Sequence, residues 1–144
     1  MNRLLWFCLF CIFGIISIST SSKTAQNTPD TEASSHESKT TIEGLVRDIA
    51  CPIQNYEATA TKLSIKCLLA CVRKGSPIVI LTKDGDLYVP ISNKMPDEEQ
   101  RQRLMPFLGK YVRVNGIVYE RKGTHAISIR EIVELKDVHL DIVD

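Results

Sequence analysis

Cys51, Cys67 and Cys71 are the residues of this chain best equipped for chemistry. Thiolates are soft ligands and good nucleophiles, and three of them cannot all pair among themselves. One must stay free, bridge to another molecule, or join its neighbours around a metal ion or other soft ligand. Cys67 and Cys71 are four positions apart, so on a helix they share a face about one turn apart. Plotted at ~100° per residue, they border an apolar arc of Ile65, Leu68, Leu69 and Val72, with Lys66 and Arg73 on the solvated side. Cys51, followed by Pro52, falls in a loop long enough to fold back over them.

The first reading of this cluster is a structural disulfide from Cys51 to Cys67 or Cys71. Such bonds persist outside the cytoplasm, and closing a loop of this size stabilises a domain by ~3 kcal/mol in the chain-entropy model. A direct Cys67–Cys71 bond would distort the helix that carries both. The alternative is a soft-metal site. Three thiolates suit copper(I), or zinc when a fourth ligand such as His125 joins them. The spacing lacks the Cys-x-x-Cys of common zinc sites. A redox-active thiol, attachment to another molecule, and three inert thiols packed as small hydrophobes are the remaining readings.

Catalysis is not expected. No Cys-x-x-Cys marks thioredoxin-like exchange, and no Cys-x-x-Cys-His marks haem attachment. Phosphate loops and histidine-glutamate metal motifs are absent from the sequence. His125 and His139 are the only histidines beyond residue 40.

The elements that must position the thiols read mainly as strands. Ile42-Glu43-Gly44-Leu45-Val46-Arg47-Asp48 and Val114-Asn115-Gly116-Ile117-Val118-Tyr119-Glu120 repeat one pattern: apolar, any, Gly, apolar, Val, any, acid. Alternation puts Ile42, Gly44 and Val46 on one face, and Val114, Gly116 and Val118 on the matching face of the second segment. Glycine inside a strand signals a bend, a bulge or a close backbone approach, and two of them point to coiled strands that close a small barrel. Ile78–Thr82 and Leu87–Ile91 flank Lys83-Asp84-Gly85-Asp86, where Asp-Gly is a strong hairpin signal. Lys110–Glu120 and His125–Leu135 form a longer hairpin, and the apolar phase slips between Ile129 and Ile132, which predicts a bulge near Arg130.

Two helices fill the gaps. One runs from about Thr61 to Lys74 and stops at Gly75. The other is expected over Asp97–Met105, with Pro96 at its start and Asp97, Glu98 and Glu99 at the positive end of its dipole. Pairs Asp97–Arg101 and Glu99–Arg103 would add support, so this charge run needs no ligand. The fold class is therefore mainly β. Five strands with a helix between the third and fourth form an OB-like barrel, and the cysteine-bearing helix is an insertion between strands one and two. OB barrels bind ligands across their second and third strands. Here Tyr88, with Tyr111, Arg113 and Tyr119 on the outward side of the fourth strand, is the candidate face for an oligosaccharide, peptide or single-stranded nucleic acid.

The stretches Gly44-Leu45-Val46-Arg47-Asp48-Ile49-Ala50-Cys51-Pro52, Cys67-Leu68-Leu69-Ala70-Cys71, Gly75-Ser76-Pro77-Ile78-Val79-Ile80-Leu81 and Gly109-Lys110-Tyr111-Val112-Arg113-Val114-Asn115-Gly116 resemble a group of uncharacterised bacterial exported proteins. That resemblance covers most of Ile42 to Leu135. It implies an OB-type domain behind a signal peptide and implies no activity.

Compartment and partners follow from the ends and the charge. Met1-Asn2-Arg3 precedes an apolar run from Leu4 to Ile18 and then small residues, the arrangement of a secretory signal. Residues 1–22 are read as that signal, cleaved or kept as an anchor, with Cys8 and Cys11 as apolar members of it. Membrane contact is expected through this segment alone. Residues 23–40 read as a polar, disordered linker, and residues 41–144 as the barrel domain. The expected location is the periplasm or cell envelope, with an envelope partner or small ligand. With 18 Lys and Arg against 17 Asp and Glu, the chain lacks the excess positive charge of a protein that neutralises many phosphates, so nucleic acid is disfavoured.

Overall fold

The computed structural model describes residues 36–143. The expected signal segment and the first part of the linker lie outside them. Five long strands close a barrel in the order β1 (His36–Asp48), β3 (Ile78–Thr82), β4 (Leu87–Ile91), β6 (Thr124–Glu134) and β5 (Tyr111–Arg121). All neighbours are antiparallel except β4 and β6, which run parallel. This is the mainly β, five-stranded OB-like barrel expected from the sequence. A two-stranded parallel pair, β2 (Lys62–Leu63) with β7 (Asp141–Ile142), lies apart from the barrel sheet.

β1 closes the barrel. Its first part pairs with β5 and its last part with β3, and Gly44 and Leu45 belong to both ladders. Gly44 is there because nothing larger fits. A Cβ at Gly44 would overlap the Leu81 carbonyl oxygen and stand 2.9 Å from Ile80 Cγ2. Gly116 is enclosed in the same way, its missing Cβ facing the Ser128 carbonyl and Ile127 Cγ1 at 3.0 Å. The close approach read from the paired glycine motifs is thus real at both positions. β1 also starts at His36, upstream of the expected boundary at Thr41, because strand pairing with β5 uses backbone groups and does not require apolar side chains.

Both hairpins have the expected turns. Gly85 adopts φ 95° between β3 and β4, while Lys122 and Gly123 adopt φ 49° and 80° between β5 and β6. Two successive positive φ values match the twist of a tight hairpin. Asn115 pairs with Glu131 and Gly116 with Ile129, so Arg130 is the extra, bulged residue. The core is one cluster. Val46, Ile80, Val112, Val114 and Ile127 come from the strands, and Leu63, Leu68, Val72 and Leu104 from the segments packed on them.

Two helices carry the thiols: α1 (Ala50–Gln54) and α2 (Ile65–Arg73). α2 is shorter than expected because Lys62 and Leu63 are taken into β2, and Ser64 caps its start by accepting from the Cys67 N–H at 3.2 Å. Leu68 and Val72 are buried on its inner side, while Leu69, expected on the apolar arc, is 40% exposed.

The second expected helix is corrected. α3 spans only Arg101–Leu104, followed by a 3-10 turn at Met105–Phe107. The Asp97 carboxylate accepts from the Ser92 N–H at 2.7 Å and the Ser92 hydroxyl from the Glu98 N–H at 3.1 Å, fixing a loop where a first helical turn was expected. Nor do the arginines serve Asp97 and Glu99. Arg101 donates to the Val72 carbonyl in the last turn of α2 and to the Ser76 carbonyl just beyond it, and Arg103 to those of Ile129 and Arg130 at the β6 bulge. The guanidinium is a second donor to the Val72 carbonyl, which also accepts from the Gly75 N–H, and its charge suits the negative end of the helix. No helix among the described residues is long and apolar enough to cross a membrane.

Candidate functional site

The site forms where β1 leaves the barrel. The Ile49 N–H binds the Pro77 carbonyl at 2.9 Å, and the Asp48 carboxylate accepts from the Cys51 N–H at 2.9 Å, so the chain turns directly into α1. This turn carries Cys51 to α2. There, Cys67 lies in the first turn and Cys71 one turn later. The sulfurs of Cys51, Cys67 and Cys71 all come within 4.8 Å of one another. Cys51 Sγ and Cys67 Sγ are 3.2 Å apart, and all three are free thiols. Cys67 is exposed and the other two are half-buried, so the cluster has a solvent side.

Asp48 sets the electrostatics. It is fully buried, and its Oδ1 has no hydrogen-bond partner among the described residues. Burial pushes the Cys51 thiol up to about 11, helped by its hydrogen bond to Cys67 and by the charge of Asp48. Cys71 is raised as well, by burial first and then by Asp48 and Cys51. Without metal, Cys51 and Cys71 therefore hold their protons. A bound cation reverses this balance, since it offsets the Asp48 charge and favours thiolate at each sulfur.

Other candidates are dispersed. His125 is not brought to the thiols. It sits at the hairpin end of β6, where its Nδ1 is 3.3 Å from Glu120 Oε1 and its ring lies 5.2 Å from that of Tyr88. Strand register dictates this, because His125 pairs with both Tyr88 and Glu120. Of the expected ligand face, Tyr111 is only 3% exposed, with Lys83 Nζ 5.6 Å from its ring centre, so it offers little surface for stacking. Arg113 is exposed but paired with Glu43 at 2.7 Å. Tyr88 and Tyr119 are half-buried. An open depression of about 320 Å³ lies beside Tyr88 and Tyr111, lined by both acidic and basic side chains.

Two charged residues of the site were missed in the sequence. Asp48 had a readable signal, an acid three positions before Cys51 and suited to accept its N–H. Arg47 had none, since nothing in the pattern says that both faces of β1 are covered at that point. It is 2% exposed, and donates from one terminal nitrogen to the Thr59 and Lys62 carbonyls at 3.1 and 3.4 Å. Neither a family model, nor a curated protein, nor a solved structure matches this chain.

Proposed function

We propose that this domain binds a soft ion, copper(I) or zinc, through Cys51, Cys67 and Cys71, and does so as an exported protein in the cell envelope. The observation that carries the reading is the convergence of the three sulfurs within 4.8 Å. Sulfurs sharing one ion at bonds of ~2.3 Å stand about 4 Å apart, so small adjustments bring all three into coordination, with the 3.2 Å Cys51–Cys67 contact widening. The buried Asp48 carboxylate next to them supplies a negative field suited to a cation.

One observation favours a second reading. The 3.2 Å contact of Cys51 with Cys67 is a short step from a disulfide at ~2.05 Å. That bond would tie α1 to α2 and leave Cys71 free, making the cluster structural.

Intact mass, metal analysis and thiol labelling on protein from an envelope fraction separate the two. One copper or zinc per chain with three thiols recovered after chelation is expected. Loss of two protons with a single labelled thiol and no metal would establish the disulfide instead. Three freely labelled thiols in protein that takes up neither ion would refute both.

A further inference from the structure

A cleft of about 220 Å³ opens directly beside the thiols, with Cys51, Cys67 and Arg47 among its lining residues. Cys71 is not part of it, so the cleft views the cluster from one side. Its cations differ in status. Lys62 is held by Glu57 at 3.0 Å. Arg47 has no carboxylate within salt-bridge distance among the described residues, and its Nε–H, fully buried, has no acceptor. A buried guanidinium with no counter-charge is costly unless an anion reaches it. The volume is below the ~300–1,000 Å³ of sites for drug-sized ligands, so an occupant has few heavy atoms.

Resting on the metal reading above, we propose that this cleft binds a small thiol-carboxylate, an organic acid whose carboxylate meets Arg47 and whose sulfur completes the coordination of the ion held by the three cysteines. Each half answers one deficiency of the site. Three thiolates leave a zinc ion one ligand short of its usual four, and the cleft gives a small ligand access to Cys51 and Cys67. The carboxylate matches a planar guanidinium better than a halide or neutral group would. On binding, the ligand's S–H proton is released to water as the sulfur–metal bond forms. No electron is transferred and no covalent bond within the protein changes.

The probe is mercaptoacetate, titrated calorimetrically into the reduced, full-length, zinc-loaded protein, with 2-mercaptoethanol and acetate as partial ligands. Mercaptoacetate is expected to bind about tenfold or more tightly than 2-mercaptoethanol, the factor that one charge-assisted hydrogen bond supplies. Arg47→Gln, which removes the charge, should remove that preference, and Arg47→Lys, which keeps it without the planar fork, should retain only part of it. Equal binding of the two thiols by the wild-type protein would overturn the proposal without any variant having to fold. The metal reading fails separately, by absence of zinc uptake. In that event the Arg47 Nε–H resonance still decides the anion half: a shift on adding acetate supports it, and no shift refutes it.

Discussion

Removal of every metal from the reduced protein should leave Cys51 a poor nucleophile, and the size of that effect follows from its surroundings. Alkylation proceeds through the thiolate. With its pKa pushed from 9.0 to about 11, Cys51 holds about 100-fold less thiolate at pH 8 than an ordinary cysteine, because each unit is a factor of ten. Burial is the main cause, followed by the hydrogen bond to Cys67 and the Asp48 carboxylate. Asp48→Asn should therefore speed labelling of Cys51 only in part. The assay is timed iodoacetamide labelling at pH 8 with peptide mass analysis, and free cysteine as the reference. The sign also fixes an alkaline limit. A raised thiol pKa favours the protonated folded form, so its contribution is fully present below 9.0 and is lost as pH rises through about 11. The melting temperature of the metal-free protein should fall across that window. Labelling of Cys51 at the free-cysteine rate, with no alkaline loss of stability, would refute the account of the cluster as a desolvated, acid-flanked thiol group.

Three further outcomes are expected. Gly116→Val forces a side chain against the Ser128 carbonyl and Ile127, and should destabilise by at least the ~1–3 kcal/mol of core overpacking, read as a lowered midpoint in urea. Arg101→Ala removes the charged donor to the Val72 and Ser76 carbonyls, leaving Val72 only the Gly75 N–H, at about 1–3 kcal/mol for a charged hydrogen bond, and should raise amide exchange at the end of α2. Lys122→Asn places a residue tolerant of positive φ in the β5–β6 turn, and should leave stability unchanged or raise it by a few tenths of a kcal/mol in the same urea assay.

The barrel was legible where local chemistry leaves no alternative. Asp84-Gly85 made its turn, the slip of apolar phase marked Arg130, and the repeated glycines marked two close approaches. What stayed hidden depended on tertiary partners. The acidic run at Asp97–Glu99 looks like a helix start, yet Ser92 engages Asp97 and Glu98, and distant carbonyls engage Arg101 and Arg103. His36–Thr40 is polar enough to pass for linker, and only the exposed ladder of β5 makes it a strand. At the site, helical spacing gave the Cys67–Cys71 pair and the loop gave Cys51. That Arg47 and Asp48 would both be buried required knowing that β1 is covered on its two faces by other parts of the chain.

α2 is held at both ends, by the Ser64 hydroxyl at its first turn and the Arg101 guanidinium past its last. The backbone spacing of Cys67 and Cys71 is thereby set before any ion arrives, leaving only rotation of their side chains to adjust the sulfurs. A rigid gauge of this kind discriminates by size. An ion with much longer bonds to sulfur must spread a helix that neither end allows to move, whereas one of matching radius enters with little reorganisation. Helix pinning, remote from the thiols in sequence, is thus where selectivity among soft ions would be tuned.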